Sequence, residues 1–405
     1  MKKGWETKRL GEVCLIKPAK SEVREKLEDS DFVSFLPMEA LGVDQMLATP
    51  IQVKRLSEVA GSYTYFAEGD VLLAKITPCF ENGKLGIASG LKNGVGFGSS
   101  EYIVFRPNST VRKEWLYYLL SRDSFRNEGA ERMSGAVGHK RVSKEFIEAY
   151  PIPIPPLAEQ QRIVGILDEA FAGIARAKAN AEQNLQNARA LFESHLQAVF
   201  SQRGEGWVQK PFEKVVHVDC SLSYGIVQPG EEYANGLPIV RPTDLGAGTI
   251  YLDGLKRINP KIAGGYNRTT LQGHELLLCV RGSTGVVSKA APELAGGNVT
   301  RGIVPIRFDS KLITQDFGYY LIRSETVQSQ IREKTYGTAL MQINIRDLRV
   351  LELSLPPIKE QTSLVEKLDA LSEETRSLAA IYERKLAALE ELKKSLLHQA
   401  FSGEL

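Results

Sequence analysis

Cysteine is scarce and scattered. The 405 residues hold four, Cys14, Cys79, Cys220 and Cys279, with no Cys-x-x-Cys and no histidine cluster beside them. That spacing argues against a disulfide framework or a zinc site and leaves reduced core thiols. Long apolar runs are missing as well, none approaching the roughly 18 residues of a membrane-spanning helix. Two lysines open the chain, but no apolar stretch follows them, unlike a secretory signal. These absences predict a cytoplasmic protein with no membrane association. Charge of one sign is nearly balanced: 51 basic against 49 acidic side chains give +2. Whole-chain charge therefore announces no polyanionic partner.

Catalytic signatures are also wanting. No G-x-x-x-x-G-K-[ST] loop is there to cradle a triphosphate, and neither G-x-S-x-G nor H-E-x-x-H occurs. The polar-Pro-Pro-aromatic motif that holds a flipped adenine in amino-methyltransferases is absent. Both Pro-Pro pairs follow residues, Ile154 and Leu355, that cannot hydrogen-bond an amino group. Asp70 and Lys75 are close in sequence but not at a nuclease spacing. The expectation is a chain that catalyses nothing and holds no metal or cofactor of its own.

What the sequence does contain is a duplication. PPLAEQQRIVGILDEAF (155–171) and PPIKEQTSLVEKLDALS (356–372) share Pro-Pro, Glu-Gln, Val and Leu-Asp at a constant offset of 201. The offset persists to Phe200-Ser201 and Phe401-Ser402, so 157–201 and 358–402 are equal in length. Gly4-Trp5 and Gly206-Trp207 are paired more loosely, as are EGDVLLAK (68–75) and GHELLLCV (273–280), and Gly135 and Gly337. The order is domain, helix, domain, helix: 1–156, 157–201, 202–355 and 356–405. Joining the C-terminus to the N-terminus would recreate the junction at 200–207, so the chain reads as a ring cut once, with pseudo-two-fold symmetry.

Pro-Pro suits a helix entry, and Glu159 and Glu360 suit the first turn. Apolar residues then recur at steps of three and four. The first helix has Ile163, Leu167, Ala170, Ile174, Ala177, Ala181, Ala188, Leu191 and Ala198, interrupted by Asn184 and His195. The second has Leu364, Leu368, Leu371, Leu378, Tyr382, Leu389, Leu392 and Leu396, interrupted by Thr375 and Lys385. The pattern predicts an antiparallel coiled coil, a rod on the order of 65 Å at about 1.5 Å per residue. Phe171, Phe192 and Phe200 are expected on exposed apolar flanks. The alternative, a helical hairpin within one ordinary domain, sits poorly with helices some 150 residues apart in equivalent places.

Both globular segments read as mixed α/β, with VLLAKI (71–76), YIVFRP (102–107), LLLCVR (276–281) and GIVPIRF (302–308) as strands. Tyr117, Tyr118, Leu120 and Phe125 are expected in the core rather than in a base-stacking platform, and so are Tyr319, Tyr320 and Leu321. Segment 1–150 carries +2 and segment 207–352 carries +3, while each helix carries −1. Phosphate contact needs local clusters, not bulk charge. The clusters here are His139-Lys140-Arg141 with Lys144, and Arg281, Arg301, Arg346 and Arg349.

These segments together resemble the specificity subunit of type I restriction–modification systems. The likeness is carried by GAVGHKRVSKEFIEAYPIPIPPLAEQ (135–160), GTALMQINIRDLRVLELSLPPIKEQ (337–361), GDVLLAK and the Gly-Trp starts, and it covers essentially the whole chain. The first half departs from the family's Gln-x-Asn-Ile core, having Lys140-Arg141-Val142-Ser143 where the second has Gln342-Ile343-Asn344-Ile345. The resemblance implies two α/β-type target-recognition domains, in an α+β fold, each reading half of a bipartite asymmetric target on double-stranded DNA. It implies helices that set the gap and dock two methyltransferase subunits, which methylate adenine N6 with S-adenosylmethionine. Motor–nuclease subunits would use ATP and Mg2+. The alternatives are a recognition scaffold for a methyltransferase-only effector, and a coiled-coil adaptor that does not bind DNA.

No contact residue is carried over from the family. Polar loop chemistry beside the predicted strands nominates Lys75, Thr77, Asn82, Lys84, Ser99, Ser100, His139, Lys140 and Arg141 in the first domain. In the second it nominates Arg241, Arg281, Ser283, Thr284, Asn298, Thr300, Arg301, Gln342, Asn344 and Arg346. Arg, Lys, Asn, Gln, Ser and Thr are the side chains that read base edges, and phosphate contacts outnumber base contacts.

Overall fold

Two proline pairs set the frame. In the computed structural model one long helix runs Leu157–Ser201 and the other Ile358–Ser402, each of 45 residues. The structure describes residues 4–202, 204–220, 222–246, 248–338 and 340–405. Met1–Lys3 in the first predicted segment and Arg203, Ser221, Ala247 and Ala339 in the third lie outside the described residues. Packing divides the chain into two compact units, Met1–Glu182 with Arg384–Leu405, and Gln183–Glu383. Each unit thus holds part of both long helices.

A glutamine anchors each helix start. Gln160 is fully buried: its Oε1 accepts from the Arg112 amide at 2.9 Å, and its Nε2 donates to the Thr110 and Pro155 carbonyls at 2.9 and 2.8 Å. Gln361 repeats this with the Thr314 amide and the Leu312 and Pro356 carbonyls, all at 2.9 Å. An amide suits this post because it offers both an acceptor and donors. About two turns further on, Tyr118 donates to Asp168 and Tyr320 to Asp369.

Within the first unit the helix segments run antiparallel, since Lys178 pairs with Glu390 and Arg162 donates to the Leu405 carbonyl. In the second unit Arg189 pairs with Glu383. The buried stripe departs from the expected seam in its register. Leu191, Leu378 and Leu392 are exposed, as is Ala198, while Phe192, Leu196 and Thr375 are buried. Asn184, His195 and Lys385 lie on the exposed face and interrupt nothing. A straight helix has 3.6 residues per turn, so a seam written in heptads drifts by about 20° each repeat. Thr375 satisfies its hydroxyl on the Leu371 carbonyl at 2.8 Å.

The three phenylalanines are not exposed flanks. Phe192 and Phe200 are buried and Phe171 is half-buried. Phe171 meets Tyr118 edge-on at 5.4 Å, Phe192 lies 6.1 Å from Tyr320, and Phe200 lies 5.4 Å from Phe317. They join helix to globular core, and truncating such a ring to alanine costs about 3–5 kcal/mol.

In the first unit an antiparallel ribbon, Glu6–Arg9 with Pro151–Ile154, leads into the helix. A five-stranded sheet has the order Cys14–Ile16, Tyr102–Pro107, Val71–Ala74, Leu85–Ala88, Leu47–Ala48, and its last pair is parallel. A four-stranded sheet has the order Gln52–Arg55, Phe32–Leu36, Val95–Gly98, Thr64–Ala67. Trp115–Leu120 are all buried, as expected of core, with Trp115 at 4.4 Å from Phe401. Asp70 is buried and gripped by Arg106 through two hydrogen bonds of 2.8 Å. Its oxygens are committed there, and Lys75 is held elsewhere.

The second unit repeats the ribbon with Val208–Pro211 and Glu352–Leu355. Its sheets are Arg257–Ile258, Leu237–Val240, Asn298–Val299, and Thr249–Ile250, Val287–Ala290, Leu276–Cys279, Ile303–Ile306. Buried Glu275 and half-buried Arg307, paired at 2.8 Å, stand where Asp70 and Arg106 stand in the first.

Candidate nucleic-acid interface

Each unit carries one loop pinned to the end of a central strand. In the first, Ser134 and Arg141 exchange backbone hydrogen bonds, the Lys140 carbonyl accepts from the Thr77 amide, and Val142 donates to the Lys75 carbonyl. In the second, Tyr336 and Gln342 exchange bonds, the Met341 carbonyl accepts from the Gly282 amide, and Ile343 donates to the Val280 carbonyl. Gly135 and Gly337 turn the chain at φ of 128° and 112°, which glycine tolerates without strain. The pins set Arg141 opposite Gln342 and Ser143 opposite Asn344, one residue away from the alignment drawn by sequence. The reason is that the first loop is one residue longer. Ser143 and Asn344 both stand at helix N-caps.

Below the first loop lies a hollow of about 550 Å3 whose cations are Lys17, Lys20, Lys75, Arg141 and Lys144. Lys17 sits at φ 59° just after a strand. Lys20 donates to the Ala60 and Gly61 carbonyls, and Lys75 to the Ser100 carbonyl at 3.0 Å. Burial pushes the Lys75 ammonium down, Glu101 pulls it back, and Lys17 and Arg141 add to the fall. Burial and Lys17 lower Lys20 likewise. Glu101 takes both forks of Arg141 at 2.7 and 2.9 Å and lies 3.8 Å from Lys75. The Arg141 hydrogen bonds hold its carboxyl below the usual range. Besides Glu101, Glu148 offsets Lys144 at 3.2 Å, so five cations face two carboxylates, a balance that suits an anionic ligand.

Of the nominated residues, Lys75, Ser100 and Arg141 line this hollow, and His139 and Lys140 are exposed on its loop. Ser99 accepts from the Glu101 amide. Thr77 bonds Glu81, Lys84 caps the Met38 carbonyl at 2.7 Å, and Asn82 lines a separate hollow with Arg122 and Lys393. Lys17 and Lys20 were missed because each stands apart from any run of basic residues.

In the second unit Arg241, Arg281, Ser283, Thr300 and Arg301 converge on a hollow of about 710 Å3, with Leu340 and Val227 on its wall. Asp244 holds Arg241 at 2.8 Å, whereas Arg281 and Arg301 form no ion pair with any described residue. The Thr300 hydroxyl is buried without a partner among the described residues. Thr284 bonds the Met341 carbonyl at 3.3 Å, and Asn344 accepts from the Tyr336 hydroxyl at 2.6 Å. Gln342 is half-buried in the loop base and Arg346 is exposed on the following helix. Asn298 is corrected: it is fully buried, bonded to Thr269, the Tyr266 carbonyl and the Val299 amide. A polar residue at the start of a parallel strand is better satisfied inside than left in a loop.

Two α/β units thus repeat one arrangement, a pinned loop over a cation-lined hollow. The chain belongs to the type I restriction modification DNA specificity domain family, whose model matches residues 2–186 and 226–387. Members of that family are recognition components of restriction–modification complexes rather than their catalysts. The EcoEI type I restriction enzyme specificity subunit of Escherichia coli is 43% identical over 163 residues, 40% of this chain and 27% of that protein. The EcoAI specificity subunit, also of Escherichia coli, is 41% identical over 162 residues with the same coverage. The chain thus matches about 27% of the length of these two relatives.

Among solved structures, a chain of a type I R-M system superposes with a TM-score of 0.80 at 21% identity, over 100% of this chain and 99% of that one. The HsdS subunit from Thermoanaerobacter tengcongensis gives 0.67 at 20% identity, over 100% and 98%. They share the fold expected from sequence, mixed α/β segments with two long helices. Among the described residues no helix is long and apolar enough to cross a membrane, and no three His, Cys, Asp or Glu side chains are grouped to hold a metal ion.

Proposed function

We propose that this chain is the DNA-recognition subunit of a type I restriction–modification complex, each unit reading one half of a bipartite, asymmetric target. The observation that carries this reading is the repeated pairing of a pinned loop with a cation-lined hollow, once per unit, in a chain of the DNA specificity family. Its likeness to type I specificity subunits supports it. The two loops differ in length and chemistry, which is what reading two different half-sites requires. The long helices set the gap between half-sites and dock two adenine-N6 methyltransferase subunits, with motor–nuclease subunits joining them in the cytoplasm. S-adenosylmethionine, ATP and Mg2+ serve those partners, and this chain contributes recognition alone.

The test is to co-express the chain with its neighbouring methyltransferase gene in a methylation-free host and map N6-methyladenine by single-molecule sequencing. A bipartite motif with one modified adenine per strand is expected. Methylation of the same sites without this chain, or none with it, overturns the recognition role. Binding of the mapped duplex must also fall with salt, since each neutralised phosphate contributes a slope of about −0.9 in log K against log salt. A flat salt response would point to an adaptor that does not bind DNA.

A further inference from the structure

The two pinned loops occupy equivalent places yet carry opposite chemistry. Where the first presents His139 and Lys140, the second presents Leu340 and Met341, 46% and 43% exposed. The Met341 carbonyl is fixed by the Gly282 amide at 2.8 Å and by the Thr284 hydroxyl at 3.3 Å. These apolar side chains are therefore held toward water by a backbone that is itself anchored. Leu340 shares its hollow with half-exposed Val227 and with Arg281 and Arg301, neither of which forms an ion pair with any described residue. Apolar groups beside guanidinium groups match one feature of duplex DNA: a thymine C5 methyl in the major groove, flanked by phosphates and by guanine acceptors.

We propose that Leu340 and Met341 read a thymine methyl in the half-site taken by the unit Gln183–Glu383, an assignment that rests on the DNA-recognition reading above. Arg281 and Arg301 supply charge complementarity, and the loop supplies the apolar contact that a uracil or cytosine at that position fails to meet. The first unit, with a histidine and a lysine at its tip, makes no such contact.

The test uses the full chain and duplexes of the mapped target in which each thymine of both half-sites is replaced, one at a time, by deoxyuridine. Only a methyl group is removed. At one thymine, binding is expected to weaken about fourfold, the transfer of one buried methyl. In the Leu340→Ala, Met341→Ala double variant that difference should vanish. A second variant, Met341→Lys, should abolish the same difference and steepen the salt slope by about one phosphate contact. Circular dichroism checks that both variants fold. If no thymine matters, or if the uracil effect survives in the double variant, the assignment fails while DNA recognition stands. Absence of sequence-specific, salt-sensitive binding by the unsubstituted chain would instead overturn the recognition reading.

Discussion

Replacing Gln160 by glutamate tests how the first long helix is fastened to its unit. The substitution keeps size and one acceptor, so the Arg112 amide retains its partner. The other arm changes from a donor to an oxygen facing the Thr110 and Pro155 carbonyls, 2.9 and 2.8 Å away in the native site. Two buried carbonyls lose their donor at about 1–3 kcal/mol each. The helix dipole returns part of this, at most about 1 kcal/mol for a carboxylate near an N-terminus. The net loss near pH 8 is therefore about 1–6 kcal/mol, which lowers the melting midpoint of a unit of this size by about 2–4 °C for each kcal/mol.

The pH dependence gives the sharper signature. The site disfavours the carboxylate, so the folded-state pKa of the introduced group lies above its unfolded value of about 4.3. Its stability is then greatest below that value and is lost as pH rises toward the raised folded pKa. Native carboxylates move the other way. Arg106 holds Glu22 below the ordinary range and Arg141 does so for Glu101, so their contribution is lost as pH falls. Thermal unfolding followed by tryptophan fluorescence, with Trp5 and Trp115 in this unit, measures both. Equal midpoints for Gln160→Glu and the unsubstituted chain at pH 8 would refute the anchoring role.

Three further outcomes follow from the geometry. Inserting one heptad into both long helices should preserve the two half-sites and lengthen the gap in the methylation map; an unchanged gap in a folded protein would end the ruler idea. Native chain titrated with a thiol reagent should react first at Cys79, the one cysteine that is not buried, because burial pushes Cys14 up to about 12 and raises Cys220 and Cys279 as well; mass spectrometry showing Cys14 modified first would contradict this. Tyr118→Phe and Tyr320→Phe should each cost about 1–2 kcal/mol in urea unfolding, less than the full value of a charge-assisted bond because both sites are partly wet; a neutral result in either would show that the Tyr–Asp pair does not fasten the helix.

Much of this architecture was written in the repeat. Pro-Pro and Glu-Gln at a fixed offset located both helices, because helix entry is a local matter of dihedral angles and first-turn charge. The same motif held the anchoring glutamines in plain view, but their partners at 110–112 and 312–314 are distant in sequence, so their role stayed hidden. The seam of the first helix was legible as far as Ala188. Beyond it, burial follows the real pitch of the helix and selects Phe192 and Leu196 over Leu191. Asn298 was misread because a lone polar residue beside a glycine pair looks like a turn until strand pairing encloses it. The cation hollow under the first loop gathers Lys17, Lys75 and Arg141 from three separate stretches, and no one-dimensional cluster count finds such a group.

The ownership of the helices has a consequence for synthesis. The first unit is closed by Leu397, Ala400 and Phe401, the last lying against Trp115. All side chains of the second unit have been made once residue 383 is reached. On a ribosome, the part translated first is therefore the part that finishes last. Its tryptophan pocket waits, unfilled, through some two hundred further residues, while the later unit has every component it needs to settle.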